Sequence, residues 1–294
     1  MEGRRPACRI HRLRQADIVI DRKADPADVI WPIVGRKDHD APSVFRAEAL
    51  LREARRQKQL PLLAVPEVCV LDPDGDVVRH IKKTGKGRRH EGWACYHTKL
   101  LAFDLDGIGE VGIVGYAVGA PFAVLVAEQL FASGCRLIVS VTSAGQVTPI
   151  GPTPYFVLID RALRDEGTSY HYLPPATFAE APDVALLNCA ELALRGLTGI
   201  SIHRGPAWTT DAPYRETETA IASARDRGVL AVEMEAAALF AFGTATRRSV
   251  ICFAHVTNAM AQIEGDFEKG EADGSTATLA VVAATARAWR STGP

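Results

Sequence analysis

Glu233-Met234-Glu235 sets two carboxylates around a methionine, directly after the apolar run 229–232 and directly before the apolar run 236–242. Carboxylates in such a setting are costly to bury without partners. Two readings follow from the residues alone. One carboxylate accepts hydrogen bonds from a polyhydroxyl ligand such as a sugar diol, or the pair supplies the acidic first turn that a helix dipole favours. His255-Val256-Thr257-Asn258 closes another apolar run, 250–254. Asn258 donates and accepts hydrogen bonds but is no proton-transferring acid, and a turn residue after a strand is the plain alternative. Gly75 and Arg79 follow the apolar segment 65–71. A glycine that frees backbone amides, with an arginine one turn later, is a way to hold phosphate. A surface turn with a solvated arginine competes with that reading.

Such groups need strand ends and helix starts to position them. Apolar periodicity predicts strands over 65–71, 100–105, 111–114, 136–141, 156–159, 200–203 and 250–255, with 229–232 a further apolar segment. It predicts helices over 122–132, 182–194, 216–227, 235–246 and 275–289, and an earlier one through Ala47, Leu50, Leu51 and Ala54 with Ser43 as its N-cap. Residues 72–76 read as a turn and 82–89 as a basic loop. The segment 111–115 leads through Gly119-Ala120-Pro121 into a helix that Ser133-Gly134 closes, and the next strand ends in Thr142-Ser143-Ala144-Gly145. That is a βαβ unit, and α/β folds hold ligands at the carboxyl ends of such strands. Strand and helix patterns alternate without repeat or linker after residue 65, which predicts one α/β domain.

The 294 residues suffice for a large core, and 34 Lys+Arg against 35 Asp+Glu leave a net charge of −1. Nothing in that balance favours nucleic acid or an anionic membrane. No apolar run approaches the ~20 residues of a membrane span. The six cysteines form no CxxC pair and no zinc spacing, and residues 1–20 carry arginines without a long apolar stretch. A reduced, cytoplasmic protein without a metal is the expectation.

Taken in order, Gly75-Asp76-Val77-Val78-Arg79, the Gly-Ala-Pro before a helix, Thr142-Ser143-Ala144-Gly145, the segments 164–172 and 209–216, Val232-Glu233-Met234-Glu235-Ala236-Ala237 and a strand ending at Asn258 resemble the purine/uridine phosphorylase family. The resemblance runs from about residue 43 to the end and leaves residues 1–42 as an N-terminal extension. It implies a single three-layer αβα domain with a central mixed sheet over residues 43–294. It further implies phosphate-dependent cleavage of a nucleoside N-glycosidic bond, with inorganic phosphate as co-substrate, no other cofactor, and a homo-oligomer, dimer or hexamer.

Carried over by position, Glu233, Met234 and Glu235 hold the pentose, with Glu235 on the 2′- and 3′-hydroxyls. Gly75, Arg79 and Ser143 hold phosphate, and Thr209, Thr210 and Tyr214 lie against the base, with Arg215 as a further contact. Asn258 hydrogen-bonds the leaving base, where purine-specific members carry an acid; this favours a pyrimidine or atypical base. Two departures stand out. Ser140 occupies the place of a phosphate-binding arginine, leaving Arg46, Arg88 or Arg89 to substitute, and the Gln-x-Arg pair that reads uracil is absent after Tyr214. A hydrolytic nucleosidase and a non-catalytic nucleoside-binding protein are the alternatives on the same scaffold.

Overall fold

The computed structural model describes residues 33–35, 37–260 and 264–293. The chain divides into two compact units, residues 1–36 and 37–294, and everything below concerns the second. Most of the N-terminal extension, with Cys8, lies outside the described residues.

Among the described residues there are ten strands and seven helices, of which two short strands and one helix are not foreseen by the apolar periodicity. The first half holds α1 (Ala47–Lys58), β1 (Val68–Asp72), α2 (Asp76–Lys83), β2 (Arg88–Arg89), β3 (Leu100–Leu105), β4 (Gly109–Gly115), α3 (Ala120–Ala132) and β5 (Leu137–Gln146). The second holds β6 (Tyr155–Asp165), β7 (Phe178–Glu180), α4 (Val184–Leu194), β8 (Ile202–Thr210), α5 (Glu218–Asp226), β9 (Ala231–Glu233), α6 (Ala236–Thr246), β10 (Ser249–Asn258) and α7 (Ser275–Ser291).

One mixed sheet joins them in the order β10-β6-β8-β9-β5-β1-β4-β3-β2, with β7 beside β6. A further β10–β5 pairing closes the strands β5, β10, β6, β8 and β9 into a ring. β5 pairs in parallel with β1 and β10 and antiparallel with β9, so it meets three neighbours along its ten residues. Leu137–Val141 are all buried, and this half of β5 is apolar apart from Ser140. The helices form two sets, α1–α3–α6 and α2–α7–α4, which makes the architecture the expected three-layer α/β fold.

Three local expectations are corrected. Ser43 does not cap α1: Arg46 stands at the N-cap, and the Ser43 hydroxyl donates to Phe45 O instead. Asp76, read as turn, and Lys82 and Lys83, read as loop, belong to α2, whose Val77, Val78 and Ile81 are buried. Thr142 to Gly145 do not end a strand; they continue β5, paired with β10 and β9.

Candidate active site

The carboxyl ends of β1, β4, β5 and β10 meet the amino ends of α3 and α6 around the Glu233-Met234-Glu235 segment. Glu233 closes β9 and Glu235 is the N-cap residue of α6. Glu233 Oε2 accepts the N–H groups of Glu235 (2.7 Å) and Ala236 (2.8 Å), which satisfies two of the orphan donors at the start of α6. Its Oε1 accepts the hydroxyl of Thr209, whose oxygen in turn accepts Ala237 N–H at 2.9 Å. The Glu233 oxygens are thus engaged by their own chain. Glu233 holds the helix start and the Met234 backbone in place rather than facing outward.

Glu235 differs. Its Oε1 accepts the N–H of Gly119, the N-cap of α3, at 2.7 Å. Its Oε2 is buried and makes no hydrogen bond of ordinary geometry, and the Thr142 hydroxyl is a donor group beside this carboxylate. Gly119 presents its amide from a backbone with φ of 89°, a conformation open to glycine. Burial, followed by the charge of neighbouring Glu233, pushes the Glu235 carboxyl up to about 8. Burial likewise raises Glu233 to about 7 against the pull of the Thr209 hydroxyl and two amides. A buried acceptor atom without a donor is a place for a ligand hydroxyl.

The β1–α2 loop forms the opposite end. Asp72 is buried, and its carboxylate accepts Val78 N–H at 2.8 Å while its carbonyl accepts the N–H of Gly75 (2.9 Å) and of Tyr116 (3.0 Å). Burial raises Asp72 to about 7, with the charges of Asp74 and Asp76 adding to it. Gly75 has φ of 74°, and a Cβ there would lie 2.1 Å from the Tyr116 ring. Arg79 donates to Asp74 O at 3.0 Å and pairs with Asp76, which also pairs with Lys269. Ser143 N–H donates to Asp74 Oδ2 at 2.7 Å. Ser140 is buried in β5 between Leu71 and Cys252 of the flanking strands.

Asn258 ends β10. Its Oδ1 accepts Met260 N–H at 2.9 Å, and its Nδ2 donates to Thr257 Oγ1 at 3.2 Å. Thr210 is buried and its hydroxyl oxygen accepts Ala212 N–H, which shapes the turn that follows β8. Tyr214 and Arg215 stand on that turn with their side chains in solvent, Tyr214 at 98% exposure. The structure therefore brings together Glu233, Met234, Glu235, Thr209, Gly75, Arg79, Ser143 and Asn258 near the strand ends and leaves Tyr214 and Arg215 outside. Sequence reasoning missed Asp74, Gly119, Tyr116 and Lys269. The Gly-Ala-Pro start of α3 carried a signal for Gly119, because a glycine before a helix-opening proline presents a free amide.

Thr209→Val keeps the side-chain shape and removes the hydroxyl between Glu233 and Ala237. It is expected to cost about 1–3 kcal/mol, the penalty of a buried donor and acceptor left unpaired. Urea unfolding measures this, and Thr209→Ser should restore most of the loss.

Residues 67–291 match the Phosphorylase superfamily. The guanosine phosphorylase of Halorubrum lacusprofundi is 28% identical over 162 residues, 52% of this chain and 64% of that protein. A DeoD-type purine nucleoside phosphorylase of Myxococcus xanthus is 30% identical over 132 residues, 44% of this chain and 54% of that protein. The chain thus spans less than two thirds of the length of these curated relatives. The crystal structure of uridine phosphorylase from Vibrio fischeri ES114 complexed with 6-hydroxy-1-naphthoic acid superposes with a TM-score of 0.63 at 21% identity. That superposition covers 80% of this chain and 93% of that one, a likeness of fold.

Proposed function

We propose that this chain, which belongs to the phosphorylase superfamily, cleaves the N-glycosidic bond of a nucleoside. The observation that carries this is Glu235 Oε2, a buried acceptor atom beside the start of α3 that makes no hydrogen bond of ordinary geometry, with the Thr142 hydroxyl next to its carboxylate. A pentose diol supplies the missing donors, with Met234 against the sugar. Glu233 and Thr209 keep Glu235 in position. Asn258 hydrogen-bonds the departing base without protonating it, which favours a pyrimidine or atypical base over one that leaves through a protonated ring nitrogen. Bond breaking gives C1′ oxocarbenium character, and positioning and charge stabilisation supply the rate. Self-association as a dimer or hexamer in the cytoplasm belongs to the same proposal, and exposed Val44, Phe45 and Tyr214 support it.

Phosphorolysis, the acceptor that the family resemblance implies, needs Gly75, Arg79 and Ser143 to hold inorganic phosphate. In this chain the Gly75 and Ser143 amides donate to Asp72 and Asp74, and Arg79 is paired with Asp76. A panel of uridine, thymidine, inosine, adenosine and 5′-methylthioadenosine, each with and without phosphate, tests the reading. Base release from a pyrimidine nucleoside is the expected result. Tight binding of a nucleoside with no cleavage under either condition would make the chain a binding protein instead.

A further inference from the structure

We propose that Asp74 is a built-in anion at the place where a phosphate would bind, and that water, giving its proton to Asp74, accepts the pentose. This rests on the nucleoside reading above.

The backbone amides of Gly75, Val78 and Ser143 at that end of the site are already spent on the protein's own acidic side chains and carbonyls. Ser143 N–H points at Asp74 Oδ2 from 2.7 Å, the short length of a charge-assisted bond. The Gly75 amide turns inward to Asp72 O, and Val78 N–H goes to the Asp72 carboxylate. The two cations of the loop, Arg79 and Lys269, converge on Asp76. Ser140, buried in β5, adds no positive charge. Tyr116 closes the remaining approach, because its ring lies against Gly75. A phosphate dianion entering here meets the like charges of Asp74 and Asp76 and finds no unpaired cation among these residues.

Asp74 is also placed to act on a nucleophile. Its backbone is anchored by Arg79 Nη1 at 3.0 Å, and its Oδ2 by the Ser143 amide. Its Oδ1 has no hydrogen-bond partner among the described residues, and the side chain is half-buried rather than sealed. Ser143, whose amide holds Asp74 Oδ2, directly follows Thr142, whose hydroxyl reaches the carboxylate of Glu235, the group assigned to the pentose. The proposed water sits on Oδ1, beside that group. In the step, the water O–H bond breaks and its proton passes to Asp74. The C1′–O bond forms, the C1′–N bond breaks, and its electron pair leaves on the base. The base later takes up a proton from solvent and Asp74 returns its proton to solvent, so the balance is nucleoside plus water giving base plus free pentose.

The test has two arms on the full chain. Calorimetric titration with inorganic phosphate should show no uptake by the wild type up to about 10 mM. Asp74→Ala, which empties the Ser143 amide, should bind it at least about tenfold more tightly. In the second arm, whichever nucleoside the panel shows to be cleaved should be turned over at an unchanged rate without phosphate, giving free pentose. Asp74→Ala should then lose about 100-fold in kcat with little change in KM, and added formate should recover part of it. Asp74→Asn serves both arms if the alanine variant fails to fold, with the same signs expected. Sub-millimolar phosphate binding by the wild type, or cleavage that strictly requires phosphate, overturns the inference and leaves the nucleoside reading intact. If no nucleoside is cleaved while phosphate binds only the variant, the nucleoside reading fails and the internal anion stands.

Discussion

Glu235→Gln is expected to lower kcat/KM on a riboside by at least about 100-fold while leaving the fold intact. The amide oxygen still accepts the Gly119 N–H, so the link between α3 and α6 survives. What changes is the atom facing the ligand: Oε2, which accepts both sugar hydroxyls when the carboxyl gives up its proton on binding, becomes an NH2 donor that meets the hydrogens of the diol with hydrogens of its own. Glu235→Ala removes both bonds and leaves the Gly119 amide unsatisfied, so it should lose activity further and stability as well. The discriminating measurement compares a riboside with its 2′-deoxy analogue in wild type and variant. Wild type should prefer the riboside, and Glu235→Gln should lose most of that preference, giving a coupling between residue and hydroxyl. Equal losses on the two substrates would remove Glu235 from the pentose.

Much of this was visible before any coordinates. Val232-Glu233-Met234-Glu235-Ala236-Ala237 announces a strand, two acids and a helix in six residues, because buried strands and helix starts leave separate marks on composition. The direction of each carboxylate leaves no such mark. Glu233 is turned inward by Thr209, 24 residues away, and Glu235 is held by Gly119, 116 residues away. The first contact is set by the β8–β9 pairing and the second by the packing of α3 against α6, so the spacing of the motif treats the two acids as equivalent. Asp74 shows the same limit: Asp-Gly-Asp reads as a turn, and only the β1–β5 pairing brings it to the Ser143 amide. Helix α2 was hidden for a different reason. Its buried Val77, Val78 and Ile81 alternate with Arg79, His80 and Lys82, so eight residues present a narrow apolar stripe inside a basic stretch.

Stability should fall by on the order of 3 kcal/mol between pH 6.5 and 8, a range in which most proteins change little. The cause is the cluster of buried acids. Asp72 and Glu233 are raised to about 7 and Glu235 to about 8, in each case chiefly by burial. In the unfolded chain these groups have lost their protons by pH 6.5, whereas the folded protein still holds most of them. The native state therefore binds more protons than the unfolded state, and stability declines as pH rises through the native values. His255 works the other way. Burial, and then the charge of Lys269, lowers it to about 4, so the folded protein resists its protonation and stability from this group rises with pH up to about 6.5. Well above that pH the histidine is neutral in both states, and the raised acids, with Glu216 at about 7 among them, set the slope. Urea unfolding at half-unit steps of pH measures the decline, and Glu235→Gln should flatten it by removing the group with the highest value. A slope that the substitution leaves unchanged would mean that Glu235 is already ionised in the folded protein at neutral pH.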